Sequence, residues 1–324
     1  MKRFLLFLWI FPLFLLPVKA DTIRWVEFNV PYESLKYAME QDIATFEEEN
    51  HISWIDALAL AACRTGGKCG LGFVKDAVKE LKNGRDLQKD TPKLFSYYHE
   101  AYSAVLGGLL GSYAIEKDGK WHPTYGLKAF SPIASGFHYS HCDDFGADRS
   151  FGFKRRHLGN DLMGSPGTPI VAVEGGVIEA MGWNRYGGWR IGIRSFDSKR
   201  YWYYAHLLKD APYAPGLAEG DTVEAGQLLG FMGQTGYSDT ENVNNIEVVH
   251  LHFGLQLVFD ENQKECNSEI WVDVYDIVKL LHSHRASYVK TADGWHRLYP
   301  FKDLDEENFI PGSLPKQSAH LPAP

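Results

Sequence analysis

The chain has 324 residues, of which 45% are hydrophobic, 14% aromatic and 23% charged. That length suits two domains, and the apolar share is enough to bury real cores, which excludes a disordered, collagen-like or coiled-coil chain. A formal net charge of −8 makes the chain a poor candidate for sequence-independent nucleic-acid binding, which needs a basic face, and four cysteines are too few for a disulfide scaffold.

Lys2 and Arg3 precede an apolar run from Phe4 to Val18, and Lys19-Ala20-Asp21 follows. A positive end, a short apolar middle and small residues before a cut predict a signal peptide over 1–20. The run would make a helix of ~22 Å, short of the ~30 Å hydrocarbon core of a bilayer. The alternative is an uncleaved anchor, which would be the chain's only membrane contact. On either reading the remainder works outside the cytoplasm, secreted or associated with the cell envelope.

From Pro31 the pattern is helical. Leu35, Ala38, Met39, Ile43 and Phe46 recur at spacings of three and four, as do Trp54, Ala57, Leu58, Ala61 and Ala62. Gly66-Gly67 and Gly70-Leu71-Gly72 punctuate, and Leu94 to Leu110 forms a third stretch rich in Tyr and Ala. Residues 21–118 therefore read as a helical domain. After Trp121 short β-rich runs alternate with Gly, Asn and Asp clusters: Ile170–Val173, Gly176–Ile178, Arg190–Ile193, Tyr201–Tyr204, Gly226–Phe231 and Leu251–Phe259. Such spacing predicts an antiparallel all-β domain over 119–262. A helix is expected from Trp271 to His284, within an extension covering 263–302. The tail 303–324, acidic and then proline-rich, reads as unstructured. The fold class is α+β and multidomain.

Histidine placement carries the chemistry. His157-Leu158-Gly159-Asn160-Asp161 sets an imidazole and a carboxylate four apart. His250-Leu251-His252-Phe253 sets two imidazoles two apart in a strand-like run, where both project from one face. Tyr204-Ala205-His206-Leu207 ends another aromatic strand. Two histidines and an aspartate would satisfy a catalytic zinc, which takes three protein ligands and leaves one position open. His282-Ser283-His284 repeats the spacing on a predicted helix, where residues two apart diverge, and reads as surface.

These three motifs, in this order, resemble the lysostaphin/LytM-type zinc metallopeptidases that cut peptidoglycan cross-links. The connecting text is similar too: Gly167-Thr168-Pro169-Ile170-Val171-Ala172-Val173 with Gly175-Gly176-Val177-Ile178, Trp183-Asn184-Arg185-Tyr186-Gly187-Gly188, Gly220-Asp221-Thr222-Val223 and Gly233-Gln234-Thr235-Gly236. The resemblance spans residues 120–262. It implies a LytM-type peptidase domain in which His157, Asp161 and His252 ligate Zn²⁺. His206 and His250 would be the catalytic pair and peptidoglycan stem peptides or cross-bridges the substrate. No HExxH glutamate is present, and a neutral histidine suits the proton transfer. His250 is the expected base, with His206 orienting the water or stabilising the oxyanion. Two departures stand out: residues 237–249 are longer than the family's usual loop and are expected to border the groove, and Val249 stands where proline is common.

His138, His141, Cys142, Asp143 and Asp144 could make a second metal site, but read better as a loop. Cys63 and Cys69 could bridge or stay free, and Cys142 with Cys266 is a further conceivable pair. Tyr201-Trp202-Tyr203-Tyr204 reads as a half-buried strand before a sugar-stacking surface. Two other functions compete with the peptidase. One is a LytM-like domain without catalysis that acts as a wall-binding or regulatory module. The other is a biotinyl- or lipoyl-type carrier, suggested by Glu219 to Gly226 but lacking the lysine for attachment. The helical domain would position the enzyme on the wall or cover its groove.

Overall fold

The structure is a computed structural model that describes residues 24–26, 28–151, 153–261, 263 and 269–305. The predicted signal segment, Cys266 and the tail beyond residue 305 lie outside the described residues. No described helix is long and apolar enough to cross a membrane.

In chain order the elements are β1 (Arg24–Val26), α1 (Tyr32–Thr45), α2 (Trp54–Thr65), α3 (Leu71–Lys82), α4 (Phe95–Leu106), β2 (Leu110–Lys117) and β3 (Lys120–Leu127). Then come β4 (Ser140–His141), β5 (Asp148–Phe151), β6 (Phe153–Arg156), β7 (Asn160–Met163), β8 (Pro169–Val171), β9 (Gly176–Asn184), β10 (Gly188–Ser195) and β11 (Arg200–Ala205). The chain continues through β12 (Thr222–Val223), β13 (Leu228–Phe231), β14 (His250–Leu257), β15 (Ile270–Val272), α5 (Tyr275–Leu281), β16 (Tyr288–Thr291), β17 (Gly294–Arg297) and β18 (Phe301–Asp303). An N-terminal helical region thus precedes an antiparallel β-sheet domain that carries helix α5, as the sequence predicts.

Helix α2 is the hub of the helical region. Ala57 through Ala62 are all buried, so it is apolar all round, as a helix enclosed by others must be. Ser53 caps its start, accepting from Asp56 N–H, and Gly66 ends it with φ 65°, a left-handed turn that glycine adopts without strain. Helix α3 begins at Gly70-Leu71-Gly72, where punctuation was expected. Its buried Val74, Ala77, Val78 and Leu81 show the helical spacing. Buried Asp42 of α1 ties three elements together, accepting from Trp54 N–H at 2.8 Å, Tyr125 Oη–H at 2.8 Å and the His51 ring at 2.9 Å.

The main sheet runs β1-β15-β14-β11-β10-β9-β12, antiparallel except for the β1–β15 pair. One edge of β14 is shared: His250–Phe253 pair with β7 and Leu255–Leu257 with β15. Its other edge takes β11. Leu251, Phe253 and Leu255 face a core that also holds Ile191, Ile193, Trp202 and Tyr204, and this core is continuous with the one beneath the helices. The opposite face of the sheet forms a groove.

Several boundaries differ from the expectation. Leu110 to Tyr113 belong to strand β2, not to a helix. Trp271 and Val272, expected in a helix, pair with Gln256 and Leu255 because the open edge of β14 captures them. Asp303, where the tail was expected to begin, pairs with Tyr113 and sits 2.7 Å from the buried Lys128 ammonium. His284 is not at the surface: its ring stacks on Phe130 at 4.5 Å and its Nδ1–H donates to Ala129 O. Cys63, Cys69 and Cys142 are free thiols, and burial pushes the Cys69 thiol up to about 11.

One buried ion pair fastens the helical region to the sheet. Arg200 (1% exposed) grips Glu174 with two parallel bonds, Nε to Oε2 at 2.8 Å and Nη2 to Oε1 at 2.9 Å. Its Nη1 donates to Ala104 O of α4 at 2.9 Å, and Trp202 Nε1 donates to the same carboxylate. No room is left for a side chain at Gly108, where a Cβ would lie 1.7 Å from Glu174 Oε1. Removing one partner of such a pair strands a buried charge, at about 3–5 kcal/mol. Glu174→Gln and Arg200→Ala should each lower the unfolding free energy of the whole chain by that order, read as a fall in the urea midpoint; equal midpoints for variant and parent would show that the pair does not join the two parts.

Candidate metal centre

The sheet register assembles the site. Asp161 on β7 lies opposite His252 on β14, and His252 lies opposite Ala205 on β11, which delivers His206 as the next residue. His250 shares the face of His252, two residues before it. His157 precedes β7, with its amide donating to Ala147 O and its carbonyl accepting from Gly146 N–H.

Three donor atoms meet. His157 Nε2 lies 2.8 Å from His252 Nδ1 and 3.1 Å from Asp161 Oδ1, and His252 Nδ1 lies 3.3 Å from the same oxygen. Tetrahedral zinc with bonds of about 2.0–2.1 Å separates its ligands by about 3.3–3.4 Å, so the triangle fits such an ion. Among the described residues, this is the group of three or more His, Cys, Asp or Glu side chains placed to hold a metal.

The electrostatics also call for a cation. Burial alone would lower the His157 pKa, but the Asp144 and Asp161 carboxylates override it and push the ring up to about 9. Burial would raise the Asp161 carboxyl, yet His157 and His252 hold it well below the usual carboxylate range. Burial pulls His252 down to about 4, which favours the neutral form that a metal ligand needs.

Around the triangle stand partners that the sequence did not single out as such. Asp144 Oδ2 and its carbonyl take His157 Nδ1–H at 3.2 and 3.1 Å, leaving Nε2 as the donor, while Asp144 Oδ1 accepts from Asp161 N–H. Arg149 reaches from β5 to Asp144 and to Asp161 Oδ2. The second metal site once conceivable at 138–144 does not form: His138 and Asp143 are exposed, and His141 packs on Tyr275 at 4.4 Å. Gly159 is needed for close approach, since a Cβ there would lie 2.5 Å from Phe253 O and 2.9 Å from His252 Nε2.

The other two histidines flank the triangle. The ring of His206 lies 4.8 Å from that of His250 and 5.8 Å from that of His252. His206 Nδ1–H donates to Thr235 O at 2.9 Å and His250 Nδ1–H to Val248 O at 2.8 Å. A carbonyl only accepts, so each ring carries a proton on Nδ1, which in the neutral tautomer leaves Nε2 as the acceptor. Burial, with His250 and His252 beside it, drives the His206 pKa well down. His206 itself sits at φ 63°, a conformation costly for a residue with a side chain and typical of functional positions.

From this cluster a groove of about 580 Å³ runs across the sheet, floored by Tyr203, Gln256 and Trp271 and bordered by Arg155 and Tyr237. All its lining residues fall between 155 and 271, so the helical region does not cover it. Of the long loop 237–249, Tyr237 lines the groove, with its ring 5.9 Å from that of His206.

Residues 155–267 match peptidase family M23. The chain is 34% identical over 175 residues to the L-Ala–D-Glu endopeptidase of Bacillus subtilis, covering 54% of this chain and 51% of that one. It is 38% identical over 98 residues to lysostaphin of Staphylococcus simulans, 30% of this chain and 17% of that one. This chain thus spans about half, or less, of the length of these relatives. A LytM protein from Ruminococcus gnavus has a similar structure, with a TM-score of 0.57 at 26% identity over 85% of this chain and 95% of its own. The M23 match contains His157, Asp161, His206, His250 and His252.

Partners outside the ligands usually tune metal affinity about 10–100-fold. Asp144→Asn should weaken zinc binding by that order, and Gly159→Ala should weaken it by displacing His252; a competition titration against a chromophoric chelator reads both. Unchanged affinity in Asp144→Asn would show that His157 needs no carboxylate behind it.

Proposed function

We propose that this chain is an exported zinc metalloendopeptidase that hydrolyses peptide cross-links of bacterial peptidoglycan. One observation carries the reading: a three-donor triangle sized for zinc lies beside two histidines whose Nδ1–H groups are each held by a backbone carbonyl. The M23 relationship supports the substrate class, and the apolar N-terminal run supports export.

His157 Nε2, Asp161 Oδ1 and His252 Nδ1 would hold the ion. Zinc bound there supplies a Lewis acid for the scissile carbonyl and brings the pKa of a water toward ~7. His250 takes the proton of the attacking water at Nε2 and returns it to the leaving amine, which a neutral imidazole does well near neutral pH. His206 accepts a hydrogen bond from the same water at Nε2. With its Nδ1–H committed to Thr235 O, orienting the water suits it better than donating to an oxyanion. Asp144 and Arg149 hold His157 and Asp161 in place.

Mass spectrometry of fragments released from purified sacculi tests the activity. Wild-type protein with zinc should release peptides cut at one bond type, and chelation should stop the release until zinc is restored. His252→Ala should lose metal and activity together. His250→Ala should keep the metal and lose turnover by about 10²–10⁴-fold; equal zinc loss in both would reassign the roles. A protein that binds zinc tightly yet leaves every sacculus intact would instead be a non-catalytic wall-binding module.

A further inference from the structure

The groove beside the metal site carries a cation that the mechanism does not use. Of its arginines, Arg194 pairs with Glu179 at 2.8 Å. Arg155 donates to Tyr237 Oη at 2.6 Å and lies over the Tyr186 and Tyr237 rings. Arg190 makes no ion pair among the described residues, and its Nη1 is buried without a hydrogen-bond partner. The groove's acids are engaged elsewhere: Glu179 with Arg194, Glu219 accepting from Met181 N–H at 2.6 Å, and Glu269 accepting from Trp271 Nε1–H at 2.9 Å.

The sheet places Arg190 with intent of geometry that can be traced. Its neighbour Ile191 points into the core, so Arg190 points to the groove by the two-residue period of a strand. It sits opposite Gly182 on β9, where nothing stands within 4 Å of a would-be Cβ. The charge of Arg190 bears on the phenols of Tyr201, Tyr203 and Tyr213. Tyr203 in turn has its ring 5.9 Å from that of His252, so this patch adjoins the metal site. A buried guanidinium nitrogen with no acceptor is an exception that asks for a partner. The planar fork of arginine matches a carboxylate with two parallel bonds.

We propose that Arg190 is a specificity-determining residue that binds a carboxylate of the peptide substrate, so that the groove prefers a peptide with a free carboxylate near the scissile bond to a neutral one. The inference rests on the peptidase reading above and narrows it. The carboxylate has two sources of the same chemistry, an acidic residue within the peptide or the peptide's own C-terminus.

Calorimetric titration of the zinc-loaded full-length His250→Ala protein, which avoids turnover, separates them with three synthetic peptides. These are L-Ala-γ-D-Glu-L-Lys-D-Ala, the same peptide with the glutamyl α-carboxylate amidated, and the same peptide with only the C-terminus amidated. Loss of a charged hydrogen-bond pair should weaken binding about tenfold or more for one of the amides, which identifies the source. Adding Arg190→Gln should abolish that difference, and Arg190→Lys should restore part of it. Equal binding of all three peptides overturns the proposal, as does an undiminished preference in Arg190→Gln. The comparison of peptides needs no change at Arg190, so a poorly folding Arg190 variant does not blunt it. Wild-type protein that cuts sacculi while these peptides bind alike keeps the peptidase reading and loses the carboxylate site; the converse result keeps the site and removes the peptidase.

Discussion

The register of β14 between β7 and β11 is the constraint on which the site depends. Sheet geometry alternates side chains, so one face of β14 carries His250 and His252 while the other carries Leu251, Phe253 and Leu255. A slip of one residue would turn both imidazoles into the core and expose three apolar side chains. Burying Leu251, Phe253 and Leu255 holds the strand in place at roughly 1.5–3 kcal/mol each. The chemistry on one face is therefore enforced by packing on the other. The flanking strands complete the assembly by bringing Asp161 and His206 to fixed positions beside it.

The helical region belongs to the same body as the β-sheet domain. Asp42 ties α1 to α2 and β3, Arg200 ties α4 to Glu174, and the apolar core passes beneath both parts without a break. The groove nevertheless stays clear of the helices, which share the core on the other face of the sheet.

Much of this was legible in the sequence, for reasons that differ by residue. His250 and His252 could be read because a strand's period fixes their direction once the run is recognised as β. His157, Gly159 and Asp161 could be read because their spacing is local. Asp144 and Arg149 could not, since they sit in segments with no periodicity and reach the site only through the chain reversal at 144–149. Helix α3 was obscured by the two glycines at its start, although Val74, Ala77, Val78 and Leu81 carried its signal. Trp271 and Val272 fit a helical face as well as a strand, and tertiary pairing with β14 decided between them. That Arg190 has no ion-pair partner among the described residues is a property of three-dimensional surroundings and has no trace in the sequence.

The left-handed backbone at His206 has a consequence of its own. Its amide bonds to Gly187 O, its carbonyl accepts from Gly233 N–H, and its ring is tied to Thr235, so the tension of that bend is borne by two separate loops. The imidazole is thereby aimed before any peptide arrives. The cost of aiming falls on folding, once per molecule, and whatever enters the groove meets a ring already committed to its station.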